Sequence, residues 1–174
     1  DFGGGSGDGV SSAGVRASVD ERFGMAKATG VNVVRWWTFE GDAWQINRDG
    51  SGMPTGLNEA IYQDFDAAME LAEAHDLSYV FVLFSAPSHI PKTWMTDPAQ
   101  RKQLANVLAP LFARYADNPR VMSWEVFNEP DFDVWNGKTP EEPMREMIRE
   151  VVNAVHGNSK ALATVGMAML DGLP

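Results

Sequence analysis

The stretch Val121-Met-Ser-Trp-Glu-Val-Phe-Asn-Glu-Pro-Asp131 delivers an amide and a carboxylate together at the end of an apolar run, and a proline then stops it. Proline has no N–H to give to a strand ladder, so the run reads as a buried strand ending at Asn128-Glu129-Pro130. The mouth of such a strand is where α/β proteins place their chemistry. A carboxyl group held there can serve as a proton donor.

Outward from this strand, a helix-then-strand unit recurs. Val31 to Trp37 is a β-branched, apolar strand interrupted by Arg35, and Ser78 to Phe84 is apolar throughout. Ala161 to Ala168 reads as a fourth strand. Ser18-Val-Asp-Glu21 has the form of a capping box, which predicts a helix from there to about Thr29, closed by Gly30. Ile61, Phe65, Ala68, Met69 and Ala72 recur at helical spacing and give a second helix, from about Asn58 to His75, one apolar face. Pro98 opens a third helix reaching about Ala116, with a kink expected at Pro110. Pro140 opens a fourth, ending near Gly157. The glycine-rich residues 1–14 read as an irregular lead-in, without the strand or the G-x-G-x-x-G spacing of a dinucleotide loop. A long loop runs from the Arg35 strand to about Gly56. Strands that are apolar along their whole length, separated by amphipathic helices, imply a parallel sheet. Their spacing of roughly forty to fifty residues suits an α/β barrel with long loops, and a doubly wound sheet is the other arrangement.

At 174 residues the chain is long enough for one domain with a real core. Its formal net charge of -10 argues against nucleic acid and anionic membranes, which call for basic patches. There is no cysteine, hence no disulfide or thiolate chemistry. No apolar run is long enough to span a bilayer and no signal peptide is visible. The chain opens on Asp1 rather than Met, which reads as something upstream being absent.

Three polar groups fall on or just after apolar strands: Arg35, Glu125 and the Asn128-Glu129 pair. Alternation along a strand puts Glu125, Phe127 and Glu129 on one face. A carboxylate inside a strand is costly unless paired, and Arg35 is the partner expected for Glu125. Glu129, at the mouth, is the candidate catalytic group. Among the six tryptophans, Trp124 lies mid-strand and reads as core. Trp44, Trp94 and Trp135 lie in loops after strands, where a flat ring can be either core or a platform for a sugar. Trp37, Trp94, Trp135, His89, Asn128 and Arg35 are the candidate substrate contacts. For His89 the alternative is that Ser88-His89 only shapes its loop. His75 and His156 sit near helix C-termini, where a dipole role suffices. The histidines are too far apart in sequence to make a metal site, and no cofactor is expected. Asn47-Arg-Asp-Gly-Ser-Gly52 reads as a turn, because a calcium loop would need a later acidic ligand that is out of register.

The Asn128-Glu129-Pro130 strand resembles the fourth barrel strand of the cellulase-like glycoside hydrolases of clan A. Gly30-Val-Asn-Val-Val-Arg-Trp36 resembles their second, arginine-bearing strand, and the likeness runs from about Ala17 onward. The resemblance implies a (β/α)8 barrel cleaving β-linked sugars with retention. It makes Glu129 the acid/base, Asn128 the contact to a sugar 2-hydroxyl and Arg35 the support of the nucleophile carboxylate. It also favours an extracellular or periplasmic location. The family's nucleophile is a second glutamate on the seventh strand, whereas Ala161 to Ala168 corresponds to the fifth, after which the sequence stops. A whole barrel needs roughly 250 residues. The expected fold is therefore a partial, half TIM barrel of class α/β, with four parallel strands and alternating helices in one domain.

Half a barrel has open edges and an uncovered inner face, and such surface drives association. A homo-oligomer is expected, in which a two-fold pair rebuilds an eight-stranded closure. The competing outcome is a flattened sheet covered by its own helices. Retaining hydrolysis needs two carboxyl groups about 5 Å apart, and inverting hydrolysis roughly 6.5 to 9.5 Å, so Glu129 alone performs neither. Glu40, Asp42, Asp131 and Asp133 are the loop carboxylates a partner chain offers. The readings are a hydrolase-derived chain with weak or no activity without its other half, a non-catalytic carbohydrate-binding or self-assembling module, or a fragment with no role of its own.

Overall fold

The computed structural model describes residues 2, 3, 8–39 and 41–169. Four strands, β1 (Val33–Phe39), β4 (Ser78–Phe84), β5 (Val121–Phe127) and β6 (Leu162–Thr164), form one parallel sheet in the order β1-β4-β5-β6. A short antiparallel hairpin, β2 (Ile46–Arg48) and β3 (Pro54–Leu57), interrupts the loop after β1. Sheet neighbours are neighbours along the chain, so every crossover steps the same way and its helix falls on the same face. That is the geometry of a barrel sector, and it excludes the doubly wound alternative, whose strand order reverses.

The outer face of the sheet carries the core. The helices are α1 (Ala13–Ala28), α2 (Ala60–His75), α4 (Pro98–Arg114) and α6 (Glu141–Asn158), with short α3 (Thr93–Thr96) and α5 (Pro130–Trp135) in loops. Trp124 of β5 is fully buried and meets Phe65 of α2, Phe81 of β4 and Phe112 of α4 at ring-centroid distances of 5.8, 5.3 and 5.0 Å. One side chain thus joins two helices to two strands. Phe23 of α1 packs edge-on against Trp36 of β1. Along the inner face, Phe39, Phe84 and Phe127 sit at one level across β1, β4 and β5, with neighbouring rings 5.6 and 5.4 Å apart.

Two expectations about elements need correction. The first helix starts at Ala13, after Ser12, so the Ser18–Glu21 capping box lies inside it unused. Val15, Val19 and Phe23 continue one helical stripe back past Ser18, and that stripe outweighs the local cap signal. The described part of the lead-in is anchored to α2. The buried Asp64 of α2 accepts N–H groups from Gly3 (2.5 Å) and Ser11 (2.8 Å) and the Ser11 hydroxyl (2.5 Å). A side chain on Gly9 would collide with that carboxylate. So anchored, Phe2 reaches the core against Trp36, Phe65 and Phe81. Finally, β6 is shorter than expected. Beyond Thr164 the chain still runs beside β5 through Gly166 N to Phe127 O (2.9 Å), but the amides of Ala168 and Met169 turn to Asp131 instead of a ladder. The third helix runs through Pro110 to Arg114.

Candidate active site

β5 builds the site. Its inner face carries Glu125, and its end delivers Asn128 and Glu129. Asn128 N donates to Phe84 O (3.0 Å) and Glu129 N to Gly166 O (3.1 Å), so the backbone stays pinned between the neighbouring strand ends. At Glu129 it turns left-handed, with φ 49 and ψ 49, and Pro130 then opens α5. A glutamate rarely adopts that conformation, and backbone strain of this kind concentrates at functional sites. The turn also ends strand alternation. Glu125 and Phe127 share the inner face, while the exposed Glu129 is aimed by the turn and not by the pleat.

Arg35, projecting from β1, organises the charges. Its Nε donates to Glu125 Oε2 (2.8 Å) and its Nη2 to Glu125 Oε1 (2.5 Å), a bidentate pair. Nη2 also donates to Asn128 Oδ1 (2.8 Å). The ion pair expected of Arg35 and Glu125 is therefore present, and it extends to the amide beside Glu129. The hydrogen bonds Arg35 donates to Glu125 hold its pKa above the ordinary value against the opposing effect of burial, and the charges of Glu125 and Glu129 add to this. Glu129 thus lies within electrostatic reach of Arg35. Trp37 lies under the guanidinium, 4.5 Å from ring centroid to Cζ. Gly166, from the segment after β6, closes over the pair; a Cβ there would come 2.5 Å from Glu125 Oε1. Only glycine permits that approach.

The other predicted contacts separate. Trp135 on α5 is 70% exposed, with the exposed Phe132 6.1 Å away. His89 lies in the loop after β4, its Nδ1 2.9 Å from Ser85 Oγ, which fits the loop-shaping alternative as well as a contact. Trp94 does not fit a substrate platform. It is fully buried, its indole N–H donates to Gly52 O (2.9 Å) and its ring underlies Arg48, so it holds the hairpin down. Among the loop carboxylates, the Asp42 carboxylate lies 3.5 Å from Arg48 Nη1, while those of Asp131 and Asp133 accept backbone amides; none of these three is a free second carboxylate. Glu40 lies outside the described residues. Of residues 47–52, Asn47 and Arg48 belong to β2 and the rest form the hairpin turn, with Asp49 Oδ1 accepting from Ser51 N (2.8 Å) and Met53 N (3.0 Å).

Sequence reasoning missed Gly166, Phe132 and the helix α5. A signal for α5 was present: proline at the first helical position followed by aspartates in the first turn. The contact of Gly166 with Glu125 crosses 41 positions and leaves no local trace. Chemically, the arrangement offers one exposed carboxyl group at a strand mouth, a neighbouring amide fixed by an arginine, and an aromatic face nearby. A carboxyl group so placed can give or take a proton at a fixed position.

Residues 8–167 match the family model described as cellulase (glycosyl hydrolase family 5). The chain is 26% identical over 137 residues to mannan endo-1,4-beta-mannosidase A of Hypocrea jecorina, covering 66% of this chain and 31% of that protein. It is 24% identical over 169 residues to mannan endo-1,4-beta-mannosidase of Cryptopygus antarcticus, covering 80% and 44%. The crystal structure of the Cryptopygus antarcticus beta-1,4-D-mannanase superposes with a TM-score of 0.82 at 21% identity, over 96% of this chain and 52% of that one. Thermotoga maritima Cel5A in complex with mannotriose gives 0.62 at 19%, over 89% and 48%. The chain spans less than half the length of the two mannosidases it aligns with and about half of these solved structures. With the family model covering nearly all of its length, the chain belongs to the cellulase family, glycosyl hydrolase family 5.

Proposed function

We propose that this chain carries the acid/base half of a glycoside hydrolase acting on β-linked polysaccharide, with β-1,4-mannan as the substrate class. Glu129 is the general acid/base, donating its proton to the glycosidic oxygen as the bond breaks. Asn128, held by Arg35, meets the sugar beside the scissile bond, and Trp37, Trp135 and His89 border its path. The observation that carries this reading is the left-handed Glu129 at the mouth of β5, coupled through Asn128 and Arg35 to Glu125. The mannosidases among the relatives favour mannan over other β-linked glycans. The location that goes with a polymeric substrate is outside the cytoplasm, extracellular or periplasmic. Among the described residues no helix is long and apolar enough to cross a membrane.

Hydrolysis requires a second carboxyl group beside Glu129. We infer that a second copy closes the open sheet. Exposed apolar side chains stand on both flanks: Met25 (58%) and Val31 (37%) beside β1, Leu162 (67%) and Met167 (42%) beside β6. The described residues hold four helix–strand units (α1β1, α2β4, α4β5 and α6β6), and two copies supply the eight of a closed barrel.

Reducing-end release from mannohexaose, compared between the parent chain and E129Q, tests the chemistry. We expect E129Q to lose at least about a hundredfold of whatever turnover the parent shows, with mannohexaose affinity retained. Equal turnover in the two proteins would refute the assignment. Retained affinity with no turnover in either would favour a carbohydrate-binding module.

A further inference from the structure

We propose that Asp131 and Asp133 are positioning residues for Glu129, clamping the short helix that Glu129 opens to the loops on both sides of it. This rests on the reading of Glu129 as the acid/base. α5 has six residues, too few to hold its own shape, so its placement has to come from tertiary contacts. Two of its side chains provide them, in opposite directions. Asp131 Oδ2 accepts Met169 N (2.8 Å) and Ala168 N (3.1 Å), and its Oδ1 accepts Ala168 N (3.0 Å). Two consecutive amides cradling a carboxylate tie α5 to the segment after β6, the segment whose Gly166 covers Glu125 and whose carbonyl receives Glu129 N. Asp133 is 3% exposed, and its Oδ2 accepts Ser88 N (2.8 Å) from the loop after β4 that carries His89. Lys138 Nζ lies 3.8 Å from Asp133 Oδ1, and the Asp133 carbonyl accepts the amides of Lys138 (2.9 Å) and Thr139 (3.3 Å).

The contacts therefore run from the loop after β4 through Asp133 to α5, and from α5 through Asp131 to the segment after β6. Glu129 stands at the head of the clamped helix, and its carbonyl accepts Phe132 N (3.2 Å) as the first turn forms. A left-handed glutamate persists only when its surroundings over-determine it. Removal of either clamp frees α5 to rotate about Pro130 and lets the Glu129 side chain swing. Both aspartates act through backbone amides, so neither touches the sugar.

The test uses the full 174-residue chain, 15N NMR and mannohexaose as the probe. We expect D131A and D133A each to move the Glu129 amide resonance and weaken mannohexaose binding about tenfold. D131N and D133N, which keep one acceptor oxygen, return affinity to within about threefold of the parent. D131E and D133E keep the charge but lengthen the arm, and they move the Glu129 resonance as well. This pair decides the matter if the alanine variants do not fold. A role confined to stability would lower the melting temperature and leave the Glu129 resonance and the affinity where they were. An unmoved Glu129 resonance in the folded variants would overturn the proposal, as would asparagine variants as impaired as the alanine ones. If the parent itself does not bind mannohexaose, the substrate class fails on its own, and the Glu129 and Ser88 amide resonances still decide the clamp.

Discussion

Glu129, Gly166 and Asp131 are the residues where small changes should have disproportionate effects. Gly166 is the simplest case. A single methyl group there would enter the space of Glu125 Oε1, which Arg35 holds in a bidentate pair and cannot release cheaply. We expect Gly166→Ala to destabilise the chain by about 2 kcal/mol, the usual cost of overpacking, read from urea denaturation. Asp131 gives a pH-dependent case. Burial pushes its carboxyl pKa up, but the amides of Ala168 and Met169 prevail and hold it below the ordinary aspartate value. A lowered folded-state pKa means the contribution to stability is complete above the unfolded value of about 3.9 and is lost as pH falls below it. The stability deficit of D131N should therefore be largest near neutral pH and shrink towards zero as pH falls through the lowered folded-state value, as followed by urea denaturation at successive pH values. The residues singled out from sequence were legible to the extent that strand position determined their surroundings. Arg35 and Glu125 lie on the same face of the strands flanking β4, two residues apart in register, a gap the long arginine side chain spans. Trp94 was misread because a loop tryptophan before a helix gives no sign of the hairpin it will lie under.

Among the elements, the strands carry the most legible signal and the short connectors the least. β4 has the bounds its apolar run predicts, because the run is flanked by polar residues on both sides. The hairpin β2–β3 was not legible. Its strands are three and four residues long, one contains glycine and proline, and they hold together by packing under Trp94 and α4 more than by propensity. The start of α1 was misplaced because a cap motif is a local preference worth about 1 kcal/mol, which a longer apolar stripe outweighs. The element on which most others converge is β5, through Trp124. Truncation of Trp124 to alanine should cost about 4 kcal/mol, at the upper end for a buried aromatic, because it vacates space shared by α2, α4 and β4. A loss below about 1 kcal/mol in thermal or urea unfolding would show that these elements do not share a core.

For the whole molecule, the parallel order β1-β4-β5-β6 with the long helices on one face leaves two free flanks, while Phe39, Val82, Phe84 and Phe127 of the inner face are buried. Beside α5, α6 and β6 lies an apolar groove of about 770 Å³, lined by Val134, Met144, Ile148, Val152 and Val165. A helix following β6 would lie here by the same step that places α6 beside α4, and α1 of a second copy has the matching position in the paired arrangement. Light scattering on the purified chain should give about twice the mass of 19.1 kDa, and Ile148→Glu should return it to a monomer. A parent chain that is already monomeric would refute the closure by a second copy. The parallel α/β order was legible from apolar strands alternating with amphipathic helices, and the half-barrel followed from the family resemblance. What covers it was not, because pattern reports which face is apolar and not what meets it.

The central claim is that Glu129 sits at the mouth of β5 as the proton donor to a β-mannoside. The measurement that tests it most directly is a crystal structure of this chain soaked with mannohexaose. The account predicts a glycosidic oxygen within about 2.6 to 3.2 Å of the Glu129 carboxyl, with Asn128 against the neighbouring sugar and Arg35 still bound to Glu125. A sugar bound elsewhere on the chain, or a Glu129 side chain turned away from the strand mouths with the ligand in place, would contradict it.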